Sequence, residues 1–276
     1  MKLQNELKHI EASGRKMRVI VLRPEGQKEP LPGILWIHGG GYTTGMAGMV
    51  FFSCGRMLAE KFGAVVVSPE YRLAPEHRYP AALNDCYAVL CMMYDEAESL
   101  GIRRDKIIVG GESAGGGLAA AVCLYARDMG KIRPAMQIPL YPMLDCEDTP
   151  SSADNHGHVW DTKRNHKGWA DYLGDLYGTD RVPKYASPSR ETEYAGLPPA
   201  YSYVEDGEPF YCETLTYIDK LKAAGIDAHA DVFHGNIHAF DALFWTENSK
   251  EARNRLCDAY QRIIMEDGAQ APDAEE

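Results

Sequence analysis

Lys106-Ile107-Ile108-Val109-Gly110-Gly111-Glu112-Ser113-Ala114-Gly115-Gly116-Gly117-Leu118 contains an apolar run, a serine between glycines and the start of a periodic segment. The run at residues 106–109 reads as a buried strand. Beyond Gly115, Leu118, Val122, Tyr125 and Met129 recur at helical steps, so a helix follows with one apolar face. Gly111-Glu112-Ser113-Ala114-Gly115 is therefore a G-x-S-x-G sequence at a strand-to-helix turn. A sharp turn there presents the Ser113 hydroxyl, and the flanking glycines let strand and helix approach without a Cβ clash. The amide of Ala114 then points from a helix N-terminus at any negative charge developing near the serine. In this composition the pattern arises by chance about 0.1 times, so its setting carries more weight than its letters.

The same alternation extends in both directions. Short apolar runs at residues 33–37, 64–68, 135–140, 200–204 and 228–233 are separated by helical segments. Residues 80–100 open with Pro80, carry Leu83, Tyr87, Leu90 and Tyr94 on one face, and stop at Gly101. Residues 213–224 form another helix, ended by Gly225. Residues 6–12 and 16–22 flank Ser13-Gly14 and form an opening hairpin. Strand and helix repeated this often specify an α/β fold: a mainly parallel sheet covered by helices on both faces. Between Tyr141 and Pro199 no strand is evident. A helix over 159–176, with Trp160, Trp169, Tyr172, Leu173 and Leu176, makes this stretch a small helical insertion over one end of the sheet, approximately residues 143–195. The chain reads as a single domain, 1–276, whose last residues 267–276 form a frayed acidic tail.

His38-Gly39-Gly40-Gly41-Tyr42 follows the strand at 33–37, and its first four residues alone arise by chance only about 0.007 times. Three consecutive glycines give a backbone whose N–H groups can turn toward a substrate carbonyl with no side chain in the way. No G-K-[ST] follows, which argues against a phosphate-binding loop.

Composition narrows the function classes. The 276 residues are 45% apolar and 25% charged, the profile of an ordinary globular protein. With 29 basic and 40 acidic residues the net charge is −11, and no basic stripe is present, so nucleic acid is not an expected partner. The longest uncharged stretch, 31–55, is rich in glycine and hydroxyl groups and does not read as a membrane span. Residues 1–11 lack the apolar core of a signal peptide, and the seven Cys include no C-x-x-C pair. Reduced thiols and a cytoplasmic location are expected, with Cys54, Cys86, Cys91 and Cys123 as small core residues. His156 and His158 have no acidic or Cys cluster beside them, so no metal and no cofactor is expected.

On these motifs the sequence resembles the hormone-sensitive-lipase-like esterases of the α/β-hydrolase superfamily. The resemblance rests on His38–Tyr42, Glu70-Tyr71-Arg72-Leu73-Ala74-Pro75-Glu76, Pro80-Ala81-Ala82 with Asp85, Gly111–Gly116, Gly196-Leu197-Pro198-Pro199-Ala200 and His238-Ala239-Phe240, across roughly residues 30 to 265. It implies the α/β-hydrolase fold, Ser113 as nucleophile, and the amides of Gly40, Gly41 and Ala114 as the oxyanion hole. His38 is then a structural bracket for the glycine loop. Glu70 and Glu112 stand where the family more often has Asp, and Arg72 with Glu76 is expected to form a polar bracket.

Of nine His, only His234 and His238 lie in the loop after the last apolar strand, at the sheet edge that carries Ser113. His238, followed by a small residue and an aromatic, matches the family's catalytic histidine better. The acid departs from the family pattern: Glu208-Pro209-Phe210-Tyr211-Cys212-Glu213 stands where Asp-Pro-Leu or Asp-Pro-Phe, then x-Asp-Glu, is usual. Glu208 is the expected acid and Asp206 its competitor, and either satisfies the chain order serine, acid, histidine.

The expected chemistry is hydrolysis of a small-molecule ester through a Ser-Glu-His triad and an acyl-enzyme, with short acyl or acetyl groups preferred. Only 37 residues precede His38, so the cap is expected to be reduced and the site open, with Tyr42, Tyr71 and Trp160 as substrate-binding pocket walls. Carbohydrate-acetyl or arylformamide hydrolysis, and a non-catalytic ligand-binding member of the fold, are the alternatives. No membrane partner is expected, and the resemblance implies a homodimer without indicating which edge would pair.

Overall fold

The computed structural model describes residues 1–12 and 14–266. Ser13 of the expected turn and the acidic stretch 267–276 lie outside them. A hairpin of β1 (Leu3–Ala12) and β2 (Arg15–Pro24) opens the chain. Then follow β3 (Leu31–Ile37), α1 (Cys54–Phe62), β4 (Val65–Pro69), α2 (Ala81–Asp95), a single turn α3 (Ala97–Leu100), β5 (Ile102–Glu112) and α4 (Ala114–Met129). The second half comprises β6 (Met136–Leu140), α5 (Thr162–Leu173), β7 (Ala200–Glu205), α6 (Tyr211–Ala223), β8 (Ala228–Phe233) and α7 (Glu247–Tyr260).

The eight strands form one sheet in the order β1-β2-β4-β3-β5-β6-β7-β8. β2 is antiparallel to both its neighbours, and every pairing from β4 to β8 is parallel. Strand periodicity separates two cores. Leu35, Ile37, Val65, Val67 and Val109 face α2, α4 and α6, while Ile34, Trp36, Val66, Ile108 and Ile138 face α1 and α7. That is the doubly covered parallel sheet implied by the alternation of apolar runs.

Local chemistry sets the ends of the helices. Ser53 caps α1 by accepting from the Arg56 amide, and Gly130 ends α4 in the left-handed conformation. The helix expected over 80–100 is two pieces: Pro80 precedes α2, and the chain breaks at Glu96 before a last turn closed by Gly101. The Arg72–Glu76 bracket does not form. Glu76 is exposed, and Arg72 instead grips the fully buried Asp85 through Nε (2.9 Å) and Nη2 (2.8 Å), joined by Arg15 Nη2 at 2.7 Å. This ion triad ties the hairpin and the loop after β4 to α2. Among the described residues no helix is long and apolar enough to cross a membrane.

Candidate active site

All five parallel strands of the site point their carboxyl ends the same way, so the loops after β3, β5, β6, β7 and β8 converge on one edge of the sheet. Ser113 sits between β5 and α4 at φ 56°, ψ −122°, a backbone conformation held by its surroundings. Its amide donates to Leu140 O, and its carbonyl accepts from Gly117 N and Met143 N. The glycines beside it are needed for close approach. A Cβ on Gly111 would lie 2.4 Å from Ile37 O, and one on Gly115 2.1 Å from the same oxygen.

His238 Nε2 lies 2.9 Å from Ser113 Oγ, and its Nδ1 meets Glu208 Oε2. With the ring proton on Nδ1, that nitrogen donates to the carboxylate and Nε2 accepts from the serine hydroxyl. The three side chains are 7%, 5% and 0% exposed for Ser113, His238 and Glu208, so the chain of hydrogen bonds is shielded from water. Burial pushes the Glu208 carboxyl above the ordinary carboxylate range, and attraction to His238 works against that push. Glu208 Oε1 has no hydrogen-bond partner among the described residues.

The competing residues form a pair of their own. His234 Nδ1 is 3.0 Å from Asp206 Oδ2, with the His234 side chain 98% exposed. The loop carrying His238 is braced from below by Glu205, which accepts from Ile237 N at 2.8 Å and Asn248 Nδ2 at 3.1 Å. Glu205 and Glu208 thus divide the work: one holds the loop and the other holds the ring.

The glycine loop is oriented by its carbonyls. His38 Nδ1 lies 2.7 Å from Gly39 O, and the Gly40 carbonyl accepts from Thr43 N and Thr44 N. In a trans peptide the N–H points opposite the C=O, so these bonds turn the Gly40 and Gly41 amides away from the bracket. Neither of those amides, nor that of Ala114, donates to a backbone carbonyl among the described residues. A Cβ on Gly39 would lie 3.2 Å from Ser113 Cβ, which puts the loop against the serine. Burial lowers the His38 pKa, which favours the neutral ring in this bracket.

Two of the three expected pocket walls are not walls. Tyr42 is 1% exposed, donates its hydroxyl to Met143 O at 2.9 Å and stacks on Tyr172, beneath the loop. Tyr71 stacks on His38 at 4.2 Å and donates to His38 O at 2.9 Å. Both buttress the glycine loop from behind, because it folds back over them. Trp160 does line the cavity: a Cβ on Gly41 would lie 2.2 Å from its Cη2. The cavity is about 410 Å³, bounded by Trp160, Met49, Phe52, Val159 and Tyr141, with Ser113 and His238 opening into it.

Tyr141 and Asp241 escape the reading of the sequence, which takes Glu112 only as a position where the family more often has Asp. Tyr141 follows β6 at the same carboxyl edge, and that position was its available signal. Its ring packs edge-on against His238 at 5.1 Å, and its hydroxyl donates to Asp241 Oδ1 at 2.6 Å. Asp241 also accepts from Tyr203. Glu112, whose Oε1 accepts from Trp36 Nε1 at 2.8 Å, faces the cavity. Burial, and then the negative charge of Asp241, push its carboxyl up to about 8.

A family model described as the alpha/beta hydrolase fold matches residues 34–242. The chain belongs to the hormone-sensitive-lipase-like esterases of that fold. Esterase LipI of Mycobacterium tuberculosis is 34% identical over 211 residues, 76% of this chain and 65% of that protein's length. An arylesterase of Saccharolobus solfataricus is 31% identical over 75% of this chain and 67% of its own. Among solved structures, a bacterial heroin esterase superposes with a TM-score of 0.88 at 34% identity, covering 94% of this chain and 84% of that one. As a member of this family the chain has the eight-stranded sheet and the serine turn where its strands predict them.

Proposed function

We propose that this α/β-hydrolase is a serine carboxylic-ester hydrolase acting on small esters with short acyl or acetyl groups. The observation that carries the reading is the continuous line from Ser113 Oγ through the imidazole of His238 to the buried Glu208. His238 takes the proton of Ser113 as the oxygen attacks the ester carbonyl, and then gives it to the leaving alcohol. Glu208 keeps the ring proton on Nδ1 and stabilises the imidazolium. The amides of Gly40, Gly41 and Ala114 receive the oxyanion, and α4 adds its positive N-terminal end. Water then cleaves the acyl-enzyme by the same proton route.

The preference for short acyl groups is supported by a cavity of about 410 Å³, toward the small end of the ~300–1,000 Å³ typical of ligand pockets. Trp160, set over Gly41, narrows the space beside the carbonyl-binding amides.

The test is turnover of p-nitrophenyl acetate, butyrate, octanoate and palmitate by the wild type and Ser113→Ala. The expected result is turnover that is highest on the two shorter esters and falls at least ~10³-fold in the variant. A variant that keeps wild-type turnover overturns the mechanism, and faster palmitate than butyrate hydrolysis overturns the chain-length assignment.

A further inference from the structure

β1 is an edge strand of ten residues whose outer side pairs with nothing among the described residues. It contains no Pro and no bulge, and its ladder with β2 runs unbroken from Leu3 opposite Pro24 to Ala12 opposite Arg15. Such an edge invites a further strand unless it is guarded.

Its phase can be read from one bond. Glu25 N donates to Lys2 O, which continues the β1–β2 register. In an antiparallel ladder alternate residues direct both polar groups to the same neighbour. The even residues of β1 therefore face β2, and Leu3, Asn5, Leu7, His9 and Glu11 direct their N–H and C=O groups to the open edge.

We infer that β1 is the contact for a second copy of this chain, joined antiparallel about a two-fold axis at Leu7. The open-edge residues then pair as Leu7 with Leu7, Asn5 with His9 and Leu3 with Glu11, giving about ten inter-copy hydrogen bonds. That is the number usual for a protein interface. The register also sets Glu6 of each copy directly opposite Lys8 of the other, in the closer, non-hydrogen-bonded type of pair.

The neighbouring registers are disfavoured by charge. A two-fold axis at position 6 sets Glu6 against Glu6, and one at position 8 sets Lys8 against Lys8. An axis at position 5 brings Lys8 opposite Lys2. The charges that would guard this edge against most strands thus match in the one self-pairing that engages the whole length of β1. Leu7, 56% exposed although apolar, meets its own copy at the axis. In each copy Lys8 and Arg23 already lie beside Glu6, at 3.9 and 3.2 Å, so the carboxylate is held where the second Lys8 would arrive.

The test is sedimentation velocity of the full chain over a concentration series. The wild type is expected to be a dimer. Lys8→Glu and Glu6→Lys should each raise the dimer dissociation constant on the order of tenfold or more, because two attractive cross-strand pairs become repulsive in each. An equimolar mixture of these two variants should recover the dimer. Leu7→Pro should give a monomer with unchanged p-nitrophenyl acetate turnover, since the lost N–H faces only the open edge. A wild type that stays monomeric throughout overturns the inference. So does a dimer unmoved by Leu7→Pro, which would mean that another face joins the copies. A mixture that fails to recover the dimer overturns the register.

Discussion

Replacing Glu208 by Gln changes one atom of the proton route while keeping its shape, and the buried geometry sets what the change costs. If the amide nitrogen replaces Oε2, it donates to His238 Nδ1 and drives the ring proton onto Nε2, where it can no longer accept from Ser113. If the amide turns so that its oxygen meets Nδ1–H, the nitrogen falls where Oε1 lies, a buried position with no partner. Leaving that donor unsatisfied costs about 1–3 kcal/mol, or about 5- to 150-fold. In either orientation the imidazolium also loses its counter-charge, worth about 1–2 kcal/mol more as a charge-assisted bond reverts to a neutral one. The two losses together, about 2–5 kcal/mol, lower kcat about 30- to 5,000-fold, with KM little changed. The assay is p-nitrophenyl acetate turnover by the wild type, Glu208→Gln and Asp206→Asn. Asp206 holds the exposed His234 and accepts from Gly235 N, and bonds neither Ser113 nor His238, so its variant should stay within about twofold of wild type. Thermal denaturation separates lost chemistry from lost fold: a variant still fully folded at the assay temperature has lost its activity through the proton route, whatever the unpaired amide takes from the melting midpoint. A Glu208→Gln enzyme keeping more than a tenth of the activity, or an Asp206→Asn enzyme losing as much, would refute the assignment of the acid.

Two further outcomes follow from carboxyls whose titration the fold shifts. Glu112 is raised to about 8, by burial first and then by Asp241, so between the ordinary carboxylate pKa and pH ~8 the folded protein holds a proton that the unfolded chain has released. Stability should fall as pH rises through that window, and Glu112→Gln should flatten the slope of melting midpoint against pH; parallel slopes for the two proteins would count against the shift. Asp85 is the opposite case: burial opposes its charge, but the bonds from Arg72 and Arg15 outweigh it and lower the pKa. Its contribution is present above the ordinary carboxylate pKa and lost as pH falls through the lowered value. Asp85→Ala should cost about 3 kcal/mol in urea unfolding at neutral pH, at the low end for a broken buried pair because both arginines reach partly into solvent. A cost below about 1 kcal/mol would mean that the triad does not hold the hairpin.

Local signals were enough for the strands, α4 and the two glycine motifs. Six apolar runs, five of them ending at polar or turn residues, are long enough to bury a parallel strand and too short for a helix, so the α/β class could be read from one dimension. α1 and α7 were not legible. Cys54-Gly55 opens one, and the other, Glu247–Tyr260, is mostly polar, so each is a helix because of the sheet face it covers rather than its own pattern.

The site divides along the same line. Ser113, and the histidine that answers it, could be proposed from sequence because chain order and strand ends bring their loops to one edge. The choice between Glu208 and Asp206, two residues apart, could not. It depends on which carboxylate is turned inward at the end of β7, and there Glu205 holds the neighbouring loop while Asp206 is taken by His234. Tyr42 and Tyr71 were misread as pocket walls for a related reason. Proximity in sequence to the glycine loop says that they touch it, but only the folded path of the loop decides from which side. Short-range sterics and apolar periodicity are written into the chain itself, whereas side-chain direction at loop ends comes from packing against residues far away in sequence, and only the tertiary structure determines it.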